Sequence, residues 1–314
     1  PDATKVYTQS QAAALSNLTQ TFWYGTHVGL QQAVKNSRQG QWTINTHLGG
    51  SKIETETGSN VDVSNFSASL TAAFKNETAF GRSTVGFFLE YGDGSYDTYT
   101  KVARFDTFKG SGDTSHLGGG LFVHNQFENG LYAEASIRGG KVENEYRIRN
   151  LGYNHHNTDS DTTYYGAHLG LGYIWELSEQ TNLDLYARGL WTRTDGYDFR
   201  AAFGDFVRIE ASDSIRTRLG GRLNHDFTET LTGYAGLAWE YEFDGETDGR
   251  IGYDRSNLDR ITDPAELEAS SAFGELGLAW KPNDYGFSID LGLFGVAGDQ
   301  KGWGGTIGLN YTWE

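Results

Sequence analysis

The chain has 314 residues and a net charge of −16 from 25 basic and 41 acidic side chains, with 42 Gly, 3 Pro and neither Cys nor Met. Aromatic residues at 14% exclude a disordered or collagen-like chain, and the lack of cysteine excludes disulfides, thiolate metal sites and thiol nucleophiles. So acidic a balance also excludes an electrostatic nucleic-acid binder, which needs a basic footprint.

A mean hydropathy of −0.54 would describe a water-soluble protein. A transmembrane β-barrel gives the same average, because lipid-facing and lumen-facing residues alternate along every strand. The residues after Pro1 carry no leader pattern, so the sequence reads as a mature chain or as a piece of a longer one.

The first 40 residues differ from the rest. From Ser10 to Val34 the segment is rich in Ala, Leu and Gln, with Ala14, Leu18, Phe22 and Val28 at helical spacing. Gly25 is expected to break this helix into two pieces, and Gly40 to close it before Trp42. The helix is mostly uncharged, which is unusual for one facing solvent.

After Gly40 the period is two. Strands are expected at 41–53, 61–75, 83–92, 114–126, 131–142, 162–176, 182–195, 213–226, 231–244, 269–281, 286–297 and 302–313. Most exceed the soluble norm of about 5–6 residues and match the roughly 9–11 that cross a bilayer at a tilt. Their connections alternate. Short ones (KNETAFG, ENG, ELSEQT, DFTET, KPND) fall after every even strand and mostly long ones after odd strands. That asymmetry predicts an all-β membrane fold: a 12-stranded antiparallel transmembrane β-barrel with its N-terminal α-helix threaded through the lumen.

The two faces separate by chemistry. Phe66 to Phe74, Val85 to Tyr91, Leu131 to Ile137 and Leu231 to Phe243 each put an uncharged alternate face outward. Trp303, Tyr311, Trp313, Trp239 and Tyr241 read as membrane-interface aromatics. The opposite faces collect Glu90, Glu134, Arg138, Asp184, Arg188, Arg216, Arg218, Arg222, Glu240, Glu242, Glu275, Lys281 and Asp290 as lumen-lining charges. Arginines of the eighth strand are expected to pair with glutamates of the ninth. Glycines within strands (Gly118 to Gly120, Gly166, Gly170, Gly172, Gly220, Gly221) are expected to serve wall curvature and clearance for the helix.

Chemistry signals are weak. There is no P-loop, no G-x-S-x-G elbow and no H-E-x-x-H. Ser115 beside His116 has no triad spacing. His155 and His156 near Asp159 and Asp161 read as a solvated loop rather than a metal site. No metal and no cofactor are expected.

At this point the chain resembles the translocator (β) domain of monomeric autotransporters, the type V secretion proteins of Gram-negative bacteria. The resemblance spans the whole chain: a linker helix, a Trp-containing first strand (QGQWTINTHLGG, Gln39 to Gly50), then twelve strands. It is carried best by Gly130 to Tyr146, Tyr164 to Leu177, Asn182 to Trp191 and above all Ser214 to Glu246, with RLGGRL followed by Tyr-Ala-Gly-Leu-x-Trp. One departure is Glu314 after Trp313, where the family ends on an aromatic residue.

The resemblance implies residues 1–38 as a pore-plugging linker helix and 39–314 as the barrel. It implies a monomer in the Gram-negative outer membrane that exports its own N-terminal passenger to the cell surface. Its partners would then be that passenger, outer-membrane lipids, the barrel-assembly machinery and periplasmic chaperones, with no nucleic acid. Some members cut their own linker inside the pore. By resemblance Asn17 and Asn36 are the weak candidates for that, with Glu134, Asp184, Glu240 or Glu275 as helpers, although no Asn-Asn pair is present in the helix. Otherwise no enzymatic activity is expected. The rival readings are a stand-alone pore or adhesin whose extracellular loops bind ligand, and an outer-membrane lipase or protease, for which no Ser/His/Asp set is found.

Overall fold

In the computed structural model the described residues are 5–57, 59–100, 108–149, 156–201, 204–258, 260–262, 264–282 and 286–313. The helix runs as α1 (Lys5–Thr21), a π-turn (Phe22–Thr26) and α2 (His27–Asn36). Gly25 does not break it. It sits in the π-turn, where a Cβ would lie 2.6 Å from Ser67 Oγ, so glycine here lets the backbone touch the wall while the helix continues.

The strands follow in chain order: β1 (Trp42–Thr57), β2 (Ser59–Thr78), β3 (Gly81–Thr100), β4 (Phe108–Gln126), β5 (Leu131–Arg149), β6 (His156–Ser178) and β7 (Thr181–Thr194). Next come β8 (Tyr197–Arg200), β9 (Phe206–Ile209), β10 (Ser212–Asp226), β11 (Leu231–Asp244), β12 (Gly249–Gly252) and β13 (Arg260–Ile261). The last three are β14 (Ala269–Trp280), β15 (Phe287–Gly298) and β16 (Gln300–Thr312). Twelve of them form one closed antiparallel barrel, and β13-β12-β9-β8 form a small separate sheet. The barrel closes through β1 and β16, paired from Thr43 opposite Thr312 to Thr55 opposite Gln300. Closure leaves no edge strand in the barrel, which is what lets so long a sheet exist without templating aggregation.

The barrel strands lie where the alternation put them, but several run further. β3 continues to Thr100, β5 to Arg149, and β6 starts at His156. The reason is a change of chemistry without a change of period. Beyond Tyr91 the outward residues become Asp93, Ser95 and Asp97, and beyond Ile137 they become Lys141, Glu143, Glu145 and Arg147, while the inward positions stay buried. Backbone pairing persists because unpaired amides are costly anywhere, whereas an apolar outer face is required only beside hydrocarbon. Of the expected long loops, those after β3 and β5 are therefore largely wall, and those after β7 and β11 supply the small sheet.

The barrel thus has an apolar outer band capped by an acidic collar at its long-strand rim. Trp303 and Trp239 lie toward that rim; Tyr311 and Trp313 lie at the short-turn rim. Leu89, 55% exposed, stands in the band, and Asp97 stands in the collar directly opposite Asp62. Leu89→Arg is expected to lower stability by about 2–4 kcal/mol, and Asp97→Arg to be neutral or stabilising because it relieves a like-charge pair. Urea titration of folded barrel in lipid vesicles checks both. Equal effects would refute the band.

Candidate functional site: the plugged lumen

The interior is occupied by the helix. All residues of α1 from Thr8 to Thr21 are buried, polar and apolar alike, because barrel wall surrounds the helix on every side. This accounts for its lack of a charged face: a helix enclosed all round gains from uncharged polar groups that meet partners and from small residues that allow close approach.

Three levels of contact fix it. At the long-strand rim Ser10 Oγ lies 2.7 Å from Tyr197 Oη, Gln11 Nε2 donates to Thr194 Oγ1 at 2.7 Å, and Ala12 and Leu15 pack on Ala265 and Leu267. The ring of Tyr7 meets Phe199 of the small sheet at 5.8 Å. That sheet therefore folds over the mouth. Within it Arg208 forks onto Asp198 at 2.8 and 3.1 Å and holds that carboxyl below the usual carboxylate range. At the short-turn rim Lys75 Nζ donates to Val34 O at 2.8 Å, and Ser288 Oγ donates to Asn36 Oδ1 at 3.1 Å.

The middle level joins the π-turn region to the lumen charges. Glu90 accepts from Thr26 Oγ1 at 2.8 Å, Tyr164 Oη at 2.7 Å and Arg138 at 2.9 Å. Arg138 in turn donates to Thr192 Oγ1 and lies 4.6 Å above the Phe22 ring. Glu134 lies 3.1 Å from His27 Nε2 and accepts from Arg188 Nε at 2.8 Å, while Tyr132 Oη donates to Asp184. Glu240 accepts from Tyr24 Oη at 3.0 Å and pairs with Arg218, whose guanidinium lies between Trp23 and Phe273 at 4.6 and 4.0 Å. Arg216 pairs with Glu242, and Arg222 forks onto Glu275 at 2.8 and 2.7 Å. Wall charges paired in this way act as fixed anchors rather than as a solvated channel lining.

The expected pairing of the eighth and ninth barrel strands occurs: Arg216 faces Glu242 and Arg218 faces Glu240 across β10 and β11. Twelve of the thirteen charges assigned to the lumen face point inward, among them Asp290, which accepts from Tyr234 Oη. Lys281 does not, for it falls past the end of β14 and is exposed. Trp303, Tyr311, Trp313 and Trp239 are exposed on the outer face, and Tyr241 is partly so. His155 and Glu314 lie outside the described residues.

The expected glycine roles need dividing. Gly166 and Gly170 make room for wall side chains, not for the helix: a Cβ would lie 2.7 Å from Arg138 Nε and 2.6 Å from Glu134 Cγ, respectively. Helix clearance belongs to Gly92, Gly94 and Gly308, where a Cβ would meet Thr21, Asn17 and Gln32.

The autocleavage candidates are not brought together. Asn17 accepts from Asn65 Nδ2 at 2.6 Å and lies 3.3 Å from His116 Nδ1. Asn36 meets Gln32, Ser288 and Thr312. Glu134, Asp184, Glu240 and Glu275 take their hydrogen bonds elsewhere. His27, Tyr24 and Thr26 are the anchoring residues that sequence reasoning missed. They cluster between Trp23 and Val28, but polar side chains run all along the helix from Thr8 to Thr21, so composition did not single them out.

The sequence profile described as "Autotransporter beta-domain" matches residues 77–293. Among solved structures the chain is similar to the β domain of the Bordetella autotransporter BrkA, at 18% identity over 87% of this chain and 99% of that one, with a TM-score of 0.67. The transport unit of AIDA-I from Escherichia coli is similar at 15% identity over 98% and 99%, with a TM-score of 0.64. The translocator domain of NalP from Neisseria meningitidis is similar at 12% identity over 98% and 99%, with a TM-score of 0.70.

Proposed function

The chain belongs to the autotransporter β-domain family, and from that premise we propose that it exports its own N-terminal passenger and anchors it at the surface of a Gram-negative cell. The family is one of outer-membrane transport barrels, not of enzymes. The observation that carries the reading is the course of the chain. It enters the lumen at the long-strand rim with Lys5, runs the full depth of the pore, and turns into β1 only at the short-turn rim. Lys5, the first described residue, stands at the long-strand mouth, beside the small sheet. In the usual orientation of outer-membrane barrels, short turns face the periplasm, which puts that mouth at the cell surface.

The chain divides at residue 38, with the plug before it and the barrel after it. A stand-alone pore is disfavoured because the helix fills the lumen and its anchors consume the wall charges. The barrel works as a monomer, inserted by the barrel-assembly machinery after delivery by periplasmic chaperones.

The test places an epitope-tagged passenger ahead of Pro1, behind a secretion signal. In intact cells the epitope is expected to be cut by added protease and stained by antibody. A tag protected in intact cells but cut after outer-membrane permeabilisation refutes the reading.

A further inference from the structure

Beside the anchor at Glu134 stands a group that anchoring does not explain. His27 opens α2, Glu134 is on β5 and His168 is on β6, and one donor atom from each lies within 4.8 Å of the others. His27 Nε2 and His168 Nε2 stand 3.1 and 3.4 Å from Glu134 Oε1, with side chains 3%, 2% and 8% exposed for His27, His168 and Glu134. His168 is the unexplained member. It is 3% exposed overall, yet neither ring nitrogen makes a hydrogen bond of acceptable geometry. A buried imidazole left without partners is a cost the fold has no need to carry.

We propose that His27, Glu134 and His168 bind a divalent transition-metal ion of the zinc, cobalt and nickel class, which ties the plug to the barrel wall. Two imidazoles and a carboxylate are the donor set such ions prefer over calcium or magnesium. The two Nε2-to-Oε1 spacings fit, since donors held at about 2.0–2.1 Å around a tetrahedral or octahedral ion sit roughly 3–3.4 Å apart. Gly170 assists, because without a Cβ it lets the Glu134 side chain lie along the wall toward both histidines.

A route exists. A cavity of about 360 Å³ near the short-turn rim is lined by Glu134, Gln31, Lys35, Asp184, Arg222 and Asp226, so Glu134 forms part of its lining. Arg188 is the competitor, since its Nε already donates to Glu134 Oε1 at 2.8 Å. When the ion takes that oxygen, Arg188 keeps the Tyr132 hydroxyl at 3.3 Å and the Tyr186 ring 3.8 Å from its guanidinium carbon. Binding is therefore weaker than at a dedicated site free of a cation. The ion bridges elements on opposite sides of the plug boundary, so occupancy holds the helix in place.

The experiment uses the purified full chain in detergent micelles with His155 and His156 changed to Ala, which removes the sequence-adjacent histidine pair as a rival site. Co²⁺ is expected to give ligand-field absorption bands at one equivalent, displaced by Zn²⁺. Zn²⁺ is expected to raise the temperature at which the folded band converts to the unfolded one on gels. His168→Gln and His27→Gln should each weaken Zn²⁺ by roughly tenfold or more. X-ray absorption on the Zn²⁺-loaded chain should count two imidazoles, a result independent of whether a variant folds. No Co²⁺ bands at one equivalent, bands that persist in both variants, or fewer than two imidazoles would overturn the proposal. The outcome is separable from passenger export, which the surface-protease test reads in cells.

Discussion

Deleting residues 1–38 is expected to raise single-channel conductance in planar bilayers several-fold, with frequent closures giving way to a steady open level. The helix and its side chains occupy a cylinder about 10–12 Å across, close to the whole bore of a small barrel. With it gone, Glu90, Glu134 and Glu240 lose Thr26, His27 and Tyr24 and face water instead. The wall tolerates this because each carboxylate keeps its arginine: Arg138, Arg188 and Arg218, respectively. The barrel should therefore still fold and insert. Conductance indistinguishable from the intact chain would mean that the helix does not plug the pore.

Glu90→Ala is the single substitution expected to cost the barrel most. Glu90 is 1% exposed and accepts from the helix, from β6 and from Arg138 at once. Its removal leaves a buried guanidinium without its counter-charge, a loss of about 3–5 kcal/mol. The conversion temperature on gels should fall by on the order of 10 °C. Replacing both partners, Glu90→Ala with Arg138→Met, should recover much of the loss, since a pair of neutral side chains strands no charge. The control is Glu145→Ala, whose bond to Arg147 is exposed and should count for less than about 1 kcal/mol. A double variant no better than Glu90→Ala alone would show that the pair is not coupled.

Much of this architecture could be read in the sequence, and the physics says which parts. The wall was legible because lipid enforces period two with no exceptions: every outward position from Phe66 to Phe74 or from Val85 to Tyr91 is uncharged, so face assignment followed directly. The inward charges followed by elimination. The strand extensions were not legible, because Asp93, Asp97, Glu143 and Glu145 look like loop residues, and only cross-strand pairing shows that they remain wall. Nor was the small sheet, whose strands of two to four residues are too short to show a period. The π-turn was misread as a break at Gly25, since glycine in a helix signals an end unless a neighbour presses against it, as Ser67 does. The meeting of His27, Glu134 and His168 joins a helix residue to two strand residues more than a hundred positions further on, and no spacing rule reaches that far.

The acidic surplus of the chain, left without a partner by composition alone, now has a place. Much of it stands outward on the collar: Asp62, Asp93, Asp97, Asp113, Glu143, Glu145, Asp159 and Asp161. That collar meets the zone where lipid gives way to water.

The anchors from the π-turn have a mechanical side. Tyr24, Thr26 and His27 bind three different stretches of wall, yet they lie within about 5 Å along the helix axis at 1.5 Å per residue. A tug on the chain at the mouth therefore strains all three bonds together instead of peeling them one after another. Bonds loaded in parallel share the force and fail as a group, so the plug is brittle: it holds against steady pulling and then yields in a single short step, after which only the weaker rim contacts resist.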